Sequence, residues 1–272
     1  MRFKPLVALA ALVGVAAVIS PAAATTDQEV TAEKHGPKPT IVLVHGAFAD
    51  ASGWNGVAER LERRGYNVIA PANPLRDVKY DAAYITSVVS TVPGPVVLVG
   101  HSYGGVVISN VALDRTKVKA LVYIAGFAPE KDESAFGITA QYPGSHLGPK
   151  TTVERKFPVQ GGGEGTDVYI NEKDFRDVFA ADLSPRVTAN MFATQRPVAA
   201  TAGAGPSGEP LWRLVPSWYQ ISLNDHAIPP AAQEAMAKRA KAHTTRVTAS
   251  HVAMISRPDA SAQVILEAAR AR

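Results

Sequence analysis

The chain has 272 residues, 46% apolar and 19% charged, contains no cysteine, and carries a formal net charge of +4 that falls to +2 when Arg2 and Lys4 are removed with residues 1–24. These values fit one globular domain with a generous core and an insertion. They exclude disulfides, thiolate nucleophiles and zinc–thiolate sites, and no Lys/Arg-rich block with interleaved aromatics remains to form a nucleic-acid surface.

Residues 1–24 read as a secretory signal peptide: two cations, an apolar run from Leu6 to Ile19, a break at Pro21 and Ala22-Ala23-Ala24 as the cleavage site. The apolar run is too short to span a bilayer as an anchor, so export to the periplasm or medium is expected, without stable membrane association after cleavage. Residues 25–39 are polar and aperiodic and read as a flexible leader. The expected domain is 40–272, with a cap inserted at about 127–215.

Thr40 to Val44 is a short β-branched run, as expected of a strand buried on both faces of a parallel sheet, and it ends in His45-Gly46-Ala47-Phe48. Trp54, Val57, Ala58 and Leu61 repeat at helical spacing up to the stop at Gly65. A strand over 66–70, a helix over 80–92 and the break Pro93-Gly94-Pro95 follow. Pro95 to Val99 then runs into Gly100-His101-Ser102-Tyr103-Gly104, with helix-compatible residues from Gly105. That is the strand, tight turn and helix of a nucleophile elbow, in which glycines make room for a strained serine. Val118 to Ala125 repeats the buried-strand composition, so strands alternate with helices over 40–125 and predict a doubly wound, mostly parallel sheet.

Between residues 126 and 216 the pattern changes. Gly161-Gly162-Gly163 and Ala204-Gly205-Pro206-Ser207-Gly208 read as breakers, and short helices are predicted over 175–180 and 185–193, the second with Ser184 as N-cap. This is the expected helical cap. Its Phe136, Tyr142, Phe157, Tyr169, Phe175, Phe179, Met191 and Phe192 either line a substrate pocket or form the cap's own core. Strands over 217–223 and 244–248 and helices over 229–240 and 258–269 complete the sheet.

A serine hydroxyl needs a base within hydrogen-bond reach, and the base needs a carboxylate to fix its tautomer. The two late strands are followed by Asn224-Asp225-His226 and by Ser250-His251. Asp225 is therefore the candidate acid and His251 the candidate base, with His226 as a rival base on the acid's own loop. The oxyanion site needs two backbone N–H groups. Tyr103 supplies one, and the His45-Gly46 bend supplies the other from Ala47, or alternatively from Phe48. His45 and His101 are read as loop buttresses. The seven histidines show no paired metal-ligand spacing, so no metal or cofactor is expected.

The motifs His45-Gly46-Ala47-Phe48 with Trp54, Gly100-His101-Ser102-Tyr103-Gly104-Gly105, Asp225-His226-Ala227-Ile228-Pro229-Pro230 and Ser250-His251 together resemble the α/β-hydrolase superfamily. They are most similar to the branch of plant methylesterases and hydroxynitrile lyases with their bacterial relatives. The resemblance implies Ser102 as nucleophile, His251 as base, Asp225 as acid and the amides of Ala47 and Tyr103 as oxyanion site. Hydroxynitrile lyases of this branch carry a lysine after the base and a threonine in the first-strand loop. This chain has Val252 and Gly46 there, which argues against lyase activity. The expectation is an exported hydrolase of small-molecule carboxylic esters. The alternatives are a cofactor-free perhydrolase, a lactone or amide hydrolase, or a non-catalytic binding protein on the same fold.

Overall fold

A computed structural model of the protein describes residues 38–271. The expected signal peptide, and the leader up to residue 37, lie outside the described residues. The first half of the fold runs β1 (Thr40–Val44), a 3-10 turn (Ala51–Trp54), α1 (Asn55–Glu62), β2 (Val68–Ile69), α2 (Val78–Ser90), β3 (Val96–His101), α3 (Tyr103–Ser109) and β4 (Val118–Ile124). An insertion follows, with α4 (Ala135–Gln141), β5 (Thr152–Pro158), β6 (Glu164–Ile170), α5 (Glu172–Phe179), α6 (Pro185–Ala193), β7 (Val198–Ala199) and α7 (Ala200–Ala204). The chain then closes with β8 (Ser217–Ser222), α8 (Pro230–Arg239), β9 (His243–Val247), α9 (Ala253–Ser256) and α10 (Pro258–Arg270).

Six strands form one sheet in the order β2-β1-β3-β4-β8-β9, and every neighbouring pair is parallel. Every residue of β1, β3 and β8 is buried. Since successive side chains point to opposite faces, both faces of the sheet are covered, which is why β1 and most of β3 are continuous apolar runs rather than alternating ones, while β8 also buries Ser217, Gln220 and Ser222. The covering helices include α10, packed on β3, β4 and β8, and α3, packed on β1, β3 and β4. Their starts follow local chemistry: the Asp77 carboxylate accepts from the N–H groups of Lys79 and Tyr80 at the head of α2, and Ser184 with Pro185 opens α6.

The strand order decides where chemistry can happen. From β1 the chain steps outward to β2, then returns to the other side of β1 as β3. At such a reversal the loops after adjacent strands part and leave a crevice outside their carboxyl ends. The Gly46 loop follows β1 and Ser102 follows β3, so both lie at this crevice.

The insertion carries more than the expected helices. β5, β6 and β7 form a separate antiparallel sheet, and Gly161, Gly162 and Gly163 close the β5–β6 hairpin with φ values of +93°, +103° and +90°. Three successive residues in the left-handed region require glycine, so what reads as a breaker is a turn. β5 is mostly exposed, with the sequence TVERKFP, and offers no apolar alternation to announce a strand. The insertion is fastened to the sheet domain where the Ala199 N–H donates to Leu75 O at 2.9 Å and where Arg76 Nη1 meets Asp167 Oδ1 at 2.7 Å. Among the described residues, no helix is long and apolar enough to cross a membrane.

Candidate active site

Ser102 sits between β3 and α3 with φ +52° and ψ −126°, a strained conformation for a residue with a side chain. The turn is held from three directions. The Ser102 N–H donates to Ala125 O at 3.2 Å, while Ser102 O accepts from the N–H groups of Gly105 and Phe127 at 2.9 and 3.0 Å. A Cβ on Gly100 would lie 2.6 Å from the backbone of Gly104 and Gly105, so strand and helix can meet this sharply only without one.

His251 follows β9 and Asp225 follows β8, two neighbouring parallel strands whose exit loops are joined where the Asn224 N–H donates to Ala249 O at 3.0 Å. His251 Nδ1 and Asp225 Oδ2 are 2.7 Å apart, and both side chains are excluded from solvent. The Asp225 carboxylate is saturated: Oδ1 accepts from the N–H groups of Ala227 and Ile228 at 2.8 and 2.9 Å, and Oδ2 also accepts from Gln233 Nε2 at 2.8 Å. A carboxylate with this many donors is fixed in place with Oδ2 directed at the imidazole.

His251 is brought to Ser102 through the residue beside the serine. His101 Nε2 donates to His251 O at 3.0 Å, and the two rings lie 4.7 Å apart. The Ser102 hydroxyl makes no hydrogen bond of good geometry to His251 in this structure, a link that commonly tightens only with substrate in place. Burial, with the His251 charge adding to it, pushes the His101 imidazole far below its ordinary pKa, so it is a neutral buttress. His226 points the other way, toward Asp177 in the cap, with Nδ1 3.2 Å from Asp177 Oδ1. That orientation separates the rival base from the Asp225 carboxylate it adjoins.

The loop after β1 lies against the serine. A Cβ on Gly46 would come within 2.5 Å of Ser102 Cβ and 3.2 Å of its Oγ. His45 holds the loop in shape: Nε2 accepts from the Asn73 N–H at 2.9 Å, so the proton is on Nδ1, which donates to Gly46 O at 2.9 Å. Burial lowers the His45 pKa to about 4, so the ring is neutral. Of the two amides considered for this loop, that of Phe48 is committed to Arg196 O at 2.8 Å. The N–H groups of Ala47 and Tyr103 have no acceptor among the described residues.

A cavity of about 630 Å³ is walled by the cap, through Phe136, Tyr142, Leu147, Thr152, Glu154 and Val168 among others, and meets the site through Phe48 of the β1 loop rather than through Ser102 or His251 themselves. Of the aromatic cap residues singled out in the sequence, Phe136 and Tyr142 reach it. Phe175 and Phe179 are instead buried: Phe175 packs on Phe179 and Phe192 within the cap, and the Phe179 ring centre lies 5.2 Å from that of His251 and 6.1 Å from that of Phe48.

Residues 41–264 match the alpha/beta hydrolase family. The chain is a member of that family. A pyrethroid hydrolase of Sphingobium wenxiniae is 28% identical over 253 residues, which span 85% of this chain and 88% of that one. Methylesterase 10 of Arabidopsis thaliana is 24% identical over 254 residues, 84% of this chain and 91% of its own. Among solved structures, polyneuridine aldehyde esterase superposes with a TM-score of 0.70 at 17% identity, covering 85% of this chain and 99% of that one, which establishes the shared fold.

Two residues of this hydrolase escaped the sequence reading. Gln233 on α8 is fully buried; its Nε2 donates to Asp225 and to Ile228 O, and its Oε1 accepts the Ser222 N–H at 3.0 Å. Asp182, after α5, holds the residue before His251. A buried Gln at a helical core position was the available signal for the first. Nothing local marked the second.

Proposed function

We propose that the protein is an exported serine hydrolase of carboxylic esters. Ser102 Oγ attacks the ester carbonyl while His251 Nε2 takes its proton. Asp225 holds His251 with the proton on Nδ1 and steadies the imidazolium that forms. The carbonyl oxygen becomes an oxyanion facing the N–H groups of Ala47 and Tyr103. His251 then protonates the departing alcohol, leaving an acyl-enzyme, and the same imidazole draws a proton from the water that releases the acid.

The observation that carries this reading is the dry 2.7 Å contact between His251 and Asp225, held against His101 beside a serine on a strained elbow. Family membership and the esterases among the relatives support it. The 630 Å³ cavity suits an apolar acyl or alcohol group of moderate size.

Labelling with a fluorophosphonate, alongside hydrolysis of short- and long-chain p-nitrophenyl esters, tests the chemistry. Wild type is expected to label and hydrolyse, and Ser102→Ala to do neither. Label retained by Ser102→Ala removes the serine from this role, and an unlabelled, inactive wild type favours a binding protein. Export is tested by fractionating cells that express the full chain, where a cytoplasmic, uncleaved product rejects it.

A further inference from the structure

His146, Asp177 and His226 lie outside the proposed reaction, on three separate segments: the stretch between α4 and β5, helix α5, and the loop that also carries Asp225. Their ligating atoms all lie within 4.8 Å of one another. His146 Nδ1 is 2.6 Å from Asp177 Oδ2, and His226 Nδ1 is 3.2 Å from Asp177 Oδ1 and 3.1 Å from its backbone oxygen. The two imidazole rings are 4.2 Å apart.

We propose that these three side chains bind a divalent transition-metal ion of the zinc type, which ties the cap to the loop bearing Asp225. Two imidazoles and one carboxylate, without thiolates, suit zinc and its neighbours among the later first-row metals; magnesium and calcium prefer sites made of oxygen alone. Zinc takes nitrogen at about 2.0–2.1 Å and carboxylate oxygen at about 2.0–2.2 Å, which sets tetrahedral ligand atoms roughly 3.3 Å apart. The present imidazole–carboxylate separations of 2.6 and 3.2 Å lie below that value and no ligand pair exceeds 4.8 Å, so the ion requires only side-chain rotations that spread the carboxylate from the rings. The side chains of His146, Asp177 and His226 are 46%, 58% and 35% exposed, which leaves an entry path and room for a water as fourth ligand.

The segments that carry the two histidines are held together without help from the imidazoles. The His146 N–H donates to His226 O at 2.7 Å, and the Ser145 hydroxyl donates to Ala227 O at 2.8 Å. Much of the entropy cost of assembling the ligands is therefore already met by folding. Coordination through Nδ1 needs each ring in its Nε2–H form, so the proton now on Nδ1 moves to Nε2 by exchange with water, and Asp177 balances one of the two metal charges. Ser145 and Leu147, which flank His146, line the cavity beside Phe48. A bound ion would thus fasten one cavity wall to the acid loop. The site does not depend on the hydrolytic reading and its test does not read activity.

Untagged protein is titrated with Zn2+ and, separately, Mg2+, by calorimetry, with bound metal counted after gel filtration. One Zn2+ per chain, no Mg2+ binding, a melting temperature raised by about 5 °C or more at a hundredfold excess over Kd, and slowed amide exchange over residues 144–149 are expected. His146→Gln and Asp177→Asn, each checked for folding by circular dichroism without metal, are each expected to weaken Zn2+ binding at least tenfold. Absence of stoichiometric binding to the wild type, binding unchanged in both variants, or exchange over 144–149 unaffected by Zn2+ overturns the proposal.

Discussion

The cap residue Asp182 grips Ser250 with both carboxylate oxygens: Oδ2 accepts the Ser250 N–H at 3.1 Å and Oδ1 accepts the Ser250 hydroxyl at 2.5 Å. Burial opposes the charge on Asp182, but the hydrogen bonds it accepts, those from Ser250 foremost, together outweigh it and keep the carboxyl below its ordinary range. Ser250 precedes His251, so the candidate base is steered through Ser250 by a residue 68 positions before that serine, in the insertion. Asp182→Ala leaves two buried donors unpaired and is expected to cost about 1–3 kcal/mol of stability. The loosened loop is expected to lower kcat for p-nitrophenyl esters about 10- to 100-fold with little change in KM. Asp182→Asn keeps an acceptor and is expected to recover part of the rate. An unaltered kcat in Asp182→Ala would dissociate the cap from the base.

Gln233 supports the acid in the same way from below. Gln233→Ala removes a donor to Asp225 and the acceptor of the Ser222 N–H inside a fully buried site, for an expected loss of about 2–4 kcal/mol in urea unfolding. Gln233→Glu conserves shape but sets a second carboxylate against Asp225 Oδ2. Its expected effect is a lower melting temperature and a kcat reduced at least tenfold at neutral pH. A fully active, fully stable Gln233→Glu would show that the Asp225 environment is not as tightly balanced as its hydrogen bonds imply.

Gly46 has a steric task that any side chain defeats. In Gly46→Ala the new methyl carbon would stand 2.5 Å from Ser102 Cβ and 2.8 Å from His101 O, so loop or elbow has to shift. Overpacking of this kind costs about 1–3 kcal/mol. The displaced Ala47 amide is expected to lower kcat about a hundredfold, the scale of losing one oxyanion donor. Wild-type turnover in Gly46→Ala would mean that the Ala47 N–H does no work at this site.

Acid is expected to destabilise the fold through two buried histidines. The His45 pKa falls from 6.5 to about 4 on folding, chiefly because burial penalises the charged ring, and His101 is pushed down for the same main reason. A depressed folded value means the unfolded chain binds the proton first. The stability is therefore fully present above pH 6.5 and is lost progressively as the pH falls from there toward 4, by about 3 kcal/mol for His45 alone. Urea midpoints measured between pH 8 and 4.5 are expected to drop through this window, and His45→Gln to flatten part of the slope. A midpoint that does not change between pH 7 and 5 would contradict the neutral, buried state of both rings.

The sheet and its elbow were legible because their signals are local. A strand covered on both faces is apolar at most positions, and β1, β3 and β4 announce themselves as short, largely apolar runs, whereas β8 also buries Ser217, Gln220 and Ser222. The elbow needs its glycines next to Ser102 in the chain itself. Asp225 and His251 were readable for a related reason, since each directly follows a recognisable strand. The β5–β6 hairpin was not, because an exposed polar strand carries no period and its glycines look like punctuation.

The sequence by itself determined the parallel sheet, the strained serine and the two loops that present an acid and a histidine, since each follows from residues adjacent in the chain. Only the tertiary structure decided which amide the first loop leaves free, that His226 turns to Asp177 rather than toward the serine, and that Gln233 and Asp182 brace the two loops. Those are hydrogen bonds between segments brought together by folding. A side chain's partner across such a distance is set by how layers pack, which no local pattern encodes.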